Sequence, residues 1–195
     1  MQSRVKTFLV EDDNDFAYLI SNIVSQDKRL HFAGHATERA KAIELVTDLR
    51  PDVVLMDLNL TGDELDGVDA AREIRITTGA KILLLTSFEQ HDIMIYASKR
   101  AFASGYIYKS DCVSLAEIIF KTATTHTPQE GFIRELLLGE LSSAERSVLA
   151  GILKGEMTSI SASSLKTIAN QKTSIFKKLG LKNTNELISV FKNWI

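Results

Sequence analysis

Four short apolar runs in this chain each stop at a residue suited to phosphate chemistry. Residues 5–10 run into Glu11-Asp12-Asp13, residues 53–56 into Asp57, residues 82–85 into Thr86, and residues 106–108 into Lys109. Strands of a doubly wound parallel sheet carry their chemistry at their carboxyl ends. Four such ends would gather carboxylates, a hydroxyl and an ammonium in one crevice. A carboxylate is a poor nucleophile towards a phosphate, because both are negative. Mg²⁺ overcomes this by preferring oxygen ligands and bridging acceptor and phosphoryl oxygens. Asp12 and Asp57 are the expected direct ligands, with Glu11 acting directly or through water and the backbone carbonyl of Asn59 as a further candidate. Lys109 is a point charge that pairs with Asp57 and then with a phosphoryl oxygen. Thr86 can hydrogen-bond that oxygen once it arrives. Asp57 is therefore the expected phospho-acceptor.

The elements that must position these residues are legible as alternating signals over residues 1–125. Phe16, Leu19, Ile20, Ile23 and Val24 follow the spacing of an amphipathic helix. Residues 30–35 read as a weak strand, and 37–49 as a helix with Thr37 as N-cap and Pro51 blocking its continuation. Strands are expected at 53–56, 82–85 and 106–108, and helices at 68–76, 89–101 and 113–123. The result is (βα)₅, an α/β flavodoxin-like domain with right-handed crossovers and helices on both faces. Residues 126–140 read as a linker that docks a short helix. Residues 141–195 read as a small all-α domain. There Ser142 and Glu145 form a capping box, Gly155 ends one helix, and Gly180 stops another over 165–179. Asn183 and Glu186 cap a last helix carrying Leu187, Val190, Phe191, Trp194 and Ile195.

A length of 195 residues suits one large domain or two small ones. No apolar run approaches the roughly twenty residues of a membrane span, and no signal-peptide pattern opens the sequence, so a cytoplasmic location without a membrane partner is expected. The single cysteine, Cys112, excludes a disulfide framework and a thiolate metal site. Residues 1–125 hold 14 basic and 19 acidic side chains, whereas residues 126–195 hold 9 and 6. An acidic front and a basic back fit a switch joined to a nucleic-acid reader.

Residues 1–125 resemble the receiver domain of two-component response regulators. The resemblance rests on Val10-Glu11-Asp12-Asp13, the stretch from Val54 to Gly67, Leu84-Leu85-Thr86-Ser87 and Gly105-Tyr106-Ile107-Tyr108-Lys109. It implies that a sensor histidine kinase phosphorylates Asp57 and that Thr86 and Tyr106 form a switch pair. Three features depart from the family pattern. Leu60-Thr61 replaces the usual Met-Pro, the loop from Asp57 to Gly67 is two residues longer than in the shortest receivers, and Ser110 follows Lys109 where proline is usual. None removes a reacting group.

The stretch from Leu141 to Leu149, Gly155, and the stretch from Lys166 to Leu181 resemble the helix-turn-helix output of the NarL/FixJ (LuxR) class. In that class a helix matching 166–178 enters the major groove of double-stranded DNA. The resemblance implies that Ala169, Asn170 and Thr173 face bases and that Lys166, Lys172 and Lys177 meet phosphates, with Lys178 and Lys182 as weaker candidates. A homodimer would set two such helices one turn of DNA apart. Between Gly155 and Lys166 the chain is about one helical turn short of that pattern, and a Ser/Thr-rich segment stands there. The alternative is a phosphorylation-controlled output that binds protein. Asp57-Leu58-Asn59-Leu60-Thr61 also resembles the nucleophile motif of haloacid-dehalogenase-type phosphatases, but Asn59 stands where the general acid should be, and an amide cannot donate that proton usefully. The chain is therefore expected not to be an enzyme.

Overall fold

In the computed structural model the described residues are 3–60, 65–87, 90–156 and 162–192. They divide into two compact units, Met1–Ile133 and Arg134–Ile195.

The first unit alternates strands and helices: β1 (Val5–Val10), α1 (Asn14–Gln26), β2 (Leu30–Ala36), α2 (Arg39–Leu49), β3 (Val53–Asp57), α3 (Asp66–Thr78), β4 (Lys81–Thr86), α4 (His91–Ala101), β5 (Gly105–Tyr108) and α5 (Leu115–Thr124). All five strands are parallel, in the order β2-β1-β3-β4-β5. The order reverses at β1, so the ends of β1 and β3 flank the point where such sheets hold their ligands. Helices α1 and α5 touch on one face, while α2, α3 and α4 follow one another on the other. The central strands are buried on both sides, which is why they read as unbroken apolar runs instead of alternating ones. On one face Leu9, Val53, Leu55, Leu83 and Leu85 pack with Ile20 and Val24 of α1 and Ile119 of α5. Each such side chain contributes about 1.5–3 kcal/mol by leaving water.

Thr37 is not the N-cap of α2. Pairing of β1 with β2 runs on to Val10 opposite Ala36, so the turn uses both Thr37 and Glu38, and Glu38 occupies the cap position without a side-chain bond. The segment expected to be a linker is largely helical, as α6 (Pro128–Leu138), and the division between the units falls within it.

The second unit continues with α7 (Ser143–Lys154), α8 (Ala162–Leu179) and α9 (Thr184–Phe191). Helix α7 opens on the reciprocal capping box of Ser142 and Glu145 and closes on left-handed Gly155. Helix α9 is capped by Asn183 and buries Leu187, Val190 and Phe191. The expected positions of Trp194 and Ile195, the replacement residue Thr61 and the first part of the Ser/Thr-rich segment lie outside the described residues.

Candidate functional site

The acidic pocket is built by backbone first. The Glu11 amide donates to the Ala36 carbonyl, which locks the residue after β1 to the end of β2. The Lys109 amide donates to the Thr86 carbonyl at 2.8 Å, tying the ends of β4 and β5. Helix α3 closes on β3 at Gly67, whose amide donates to the Leu58 carbonyl. A Cβ at Gly67 would lie 1.9 Å from the Asp57 carbonyl oxygen, so only glycine permits this approach. In the loop between, Asp66 accepts from the Leu60 amide and the Asn59 side chain from the Leu65 amide.

These constraints bring together three carboxylates and one ammonium. Oxygen atoms of Glu11, Asp12 and Asp57 all lie within 4.8 Å of one another. Lys109 Nζ donates to Asp57 Oδ2 at 3.0 Å and to Glu11 Oε1 at 2.9 Å, and stands 2.8 Å from Glu11 Oε2. It also lies 4.8 Å from the centre of the Phe16 ring, a cation–π contact. Glu11 is fully buried and Asp57 nearly so, whereas Asp12 is exposed. Burial pushes the Glu11 carboxyl up to about 7, against the Lys109 hydrogen bond, and the charge of Asp57 adds to the rise. Asp57 is also raised, chiefly by burial, with Lys109 and the Asn59 amide opposing. Burial works to lower Lys109, but its bonds and charge interactions with Glu11 and Asp57 outweigh this and hold it above its ordinary value. One ammonium thus serves two desolvated carboxylates and satisfies neither fully.

The donor set fits a hard divalent cation. It is all oxygen, and Glu11 Oε2 is a buried acceptor with no aligned hydrogen-bond donor among the described residues. The Asp13 carboxylate is not part of the cluster, although the Asp13 amide donates to Glu11 Oε1 at 3.2 Å. Asp13 Oδ1 caps α1, accepting from the amides of Asp15 and Phe16. Asn59 is exposed, and its amide donates to the Asp57 carboxylate.

Thr86 is buried at the end of β4 and, with Ser87, His91, Tyr108 and Ser110, lines a cleft of about 490 Å³. In the β4–β5 register Thr86 stands opposite Tyr108, and Tyr106 stands opposite Leu84. The rings of Tyr106 and Tyr108 meet edge-on, 5.8 Å apart. Tyr108 is thus the register neighbour of Thr86 and the ring neighbour of Tyr106. Phe16 and Tyr108 were not singled out from sequence, because apolar and aromatic residues beside a strand end read as core.

On α8 the expected DNA-facing residues divide. Lys166, Ala169, Asn170, Thr173 and Lys177 are exposed and share one helical face. Thr173 Oγ1 donates back to the Ala169 carbonyl at 3.0 Å. Lys172 is half-buried and lies about 115° around the helix from the middle of that face, on the side of Ile175 and Leu179. Lys178 is held by Glu145 of α7 at 2.6 Å. The buried Glu145 also accepts from Ser174 Oγ and the Ser142 amide. Those bonds, led by the one from Lys178, hold its carboxyl down to about 2.

Comparison with known proteins gives three results. The family described as response regulator receiver domain matches residues 7–120. The response regulator protein VraR of Staphylococcus saprophyticus subsp. saprophyticus is 27% identical, with 94% of each chain covered. Among solved structures, a LuxR-family two-component response regulator from Aurantimonas sp. SI85-9A1 aligns at 26% identity and a TM-score of 0.57, over 69% of this chain and 96% of that one. The RcsB response regulator of Salmonella typhimurium, solved in connection with DNA interaction, aligns at 23% identity and a TM-score of 0.55, over 99% of this chain and 98% of the other; this is a likeness of fold.

Proposed function

Because the chain belongs to the response regulator receiver family, in its NarL/LuxR class, we propose that it is a transcription regulator switched by phosphorylation of Asp57. The observation that carries this reading is Lys109 bridging Glu11 and Asp57 across strand ends that are far apart in sequence. The donor is a phosphohistidine on a sensor kinase. An Asp57 carboxylate oxygen forms the new O–P bond as the P–N bond to the imidazole breaks. Glu11, Asp12 and Asp57, with the Asn59 carbonyl, would hold Mg²⁺. When bound, Mg²⁺ offsets the repulsion between carboxylate and phosphoryl oxygens. Lys109 then pairs with a phosphoryl oxygen in place of the carboxylate, and Thr86 donates its hydroxyl to another. Movement of Thr86 reaches Tyr106 by way of Tyr108, as the strand register supports.

Residues 1–125 act as the receiver, 126–140 as the linker and 141–195 as the output. The output binds double-stranded DNA as a homodimer through the exposed face of α8, with Asn170, Ala169 and Thr173 towards bases and Lys166 and Lys177 towards phosphates. The chain is a cytoplasmic switch and not a turnover catalyst. Among the described residues, no helix is long and apolar enough to cross a membrane. A second reading, an output that binds protein, is favoured by the diversion of Lys172 and Lys178 from that exposed face.

The test of the switch is intact mass after incubation with acetyl phosphate and Mg²⁺. The wild-type chain gains one phosphoryl group, EDTA prevents the gain, and Asp57→Asn abolishes it. An Asp57→Asn protein that still gains the phosphoryl mass overturns the assignment.

A further inference from the structure

We propose that the start of α6 is a latch on the open edge of β5, so that Tyr106 and the linker helix are released together when Asp57 is phosphorylated. The inference rests on the switch reading above and goes beyond it by naming what the switch strand holds.

β5 is the last strand of the sheet, so among the described residues no strand pairs with its outer edge. The side chain of Gln129, in the first turn of α6, takes that place. Its Oε1 accepts from the Tyr106 amide at 3.2 Å, and its Nε2 donates to the Tyr106 carbonyl at 3.3 Å. A primary amide has the donor and acceptor of a peptide group, so one side chain satisfies both edge groups of one residue. Gly105 makes the approach possible, since a Cβ there would lie 2.5 Å from Gln129 Oε1.

A second anchor fixes the same turn. Glu130 is 2% exposed, and its Oε2 lies 3.3 Å from Lys81 Nζ at the start of β4 and 3.3 Å from His126 Nδ1. Lys81 also donates to the Thr125 carbonyl, before the helix begins. The fully buried Arg75 adds its attraction to Glu130. The two anchors differ in kind. Glu130 is buried and held by Lys81 and His126, which makes it a fixed pivot. Gln129 is exposed, and its two bonds lie at or just beyond the long end of the normal range, which makes it the part that lets go.

The path from the pocket is short. Lys109 follows β5 directly, and its amide is tied to Thr86. Tyr108 lines the cleft beside Thr86, and Tyr106 packs edge-on against Tyr108. Drawing Lys109 and Thr86 towards a phosphoryl group turns the far end of a four-residue strand, and the edge groups of Tyr106 turn with it. Gln129 loses alignment, and α6, which runs on past the division between the two units, is freed at its first turn.

Hydrogen–deuterium exchange of the full chain, with and without beryllium fluoride and Mg²⁺, tests this. In the wild type, loading protects the peptides around Asp57 and raises exchange several-fold at Tyr106 and over 128–133 together. Gln129→Leu keeps the volume but removes both bonds. It shows the raised exchange at both places before loading and no further rise after it. Gly105→Ala, which crowds the same contact from the strand side, behaves as Gln129→Leu does. Protection around Asp57 with unchanged exchange over 128–133 overturns the latch and leaves the switch standing. Absence of any protection around Asp57 overturns both.

Discussion

Gly67 shows how little freedom Asp57 has. Its missing side chain lets the first turn of α3 lie against the Asp57 carbonyl, so Asp57 is held from its backbone side as well as by Lys109. Gly67→Ala should destabilise the first unit by about 1–3 kcal/mol, the usual cost of overpacking. It should also slow phosphoryl gain at Asp57. Urea denaturation and the intact-mass assay measure the two effects, and a variant unchanged in both would contradict the close approach. The residue types at the strand ends were readable because each closes an apolar run. Their roles were only partly so. Asp12 and Asp13 carry the same group, yet one joins the carboxylate cluster and the other caps α1. Only the direction in which the chain turns separates them, and composition does not encode that. Gln129 was invisible for the same reason, since the strand edge it covers exists only once the sheet has formed.

Among the elements, the contact between α7 and α8 depends most on a single charge. Glu145 completes the cap of α7, accepts from Ser174 and pairs with Lys178, all from a buried position. Its folded value of about 2 lies below its ordinary 4.5. The stability it contributes is therefore fully present above about pH 4.5 and is lost as pH falls towards 2. Amide hydrogen exchange over α7 and α8 should report the loosening of their contact across this window. Glu145→Gln should flatten the dependence, and identical acid profiles for variant and wild type would rule the contact out as its source. The capping box was evident from the spacing of Ser142 and Glu145, because caps are local. The pairing with Lys178, 33 residues away, was not, and that lysine looked like a phosphate contact.

For the whole molecule, the basic excess of residues 126–195 overstates what DNA would meet. With Lys172 half-buried and Lys178 paired, Lys166 and Lys177 remain on the exposed face of α8, and Lys182 lies beyond its end. About two to three phosphate contacts per subunit would give a slope of log K against log salt near −2 to −3 per subunit. Titration of fluorescent DNA with the phosphorylated full chain at several salt concentrations measures it. Lys177→Ala should weaken binding to all sequences alike, Asn170→Ala should relax base preference, and Lys172→Ala should do little. No binding even at low salt would favour the protein-binding output instead, and a larger loss from Lys172→Ala than from Lys177→Ala would overturn the assignment of the exposed face of α8.

The strand order also sets a timetable. Interior β1 precedes its second neighbour, β3, which ends only at Asp57, so the carboxylates of Glu11 and Asp57 can stand side by side only once β3 has been made. The ammonium that relieves them stands 98 residues after Glu11. At about 5–20 residues per second of synthesis, roughly 3–10 s separate the making of Asp57 from that of Lys109. Closure of the first unit is thus a late event in the life of the chain, and it waits on one lysine.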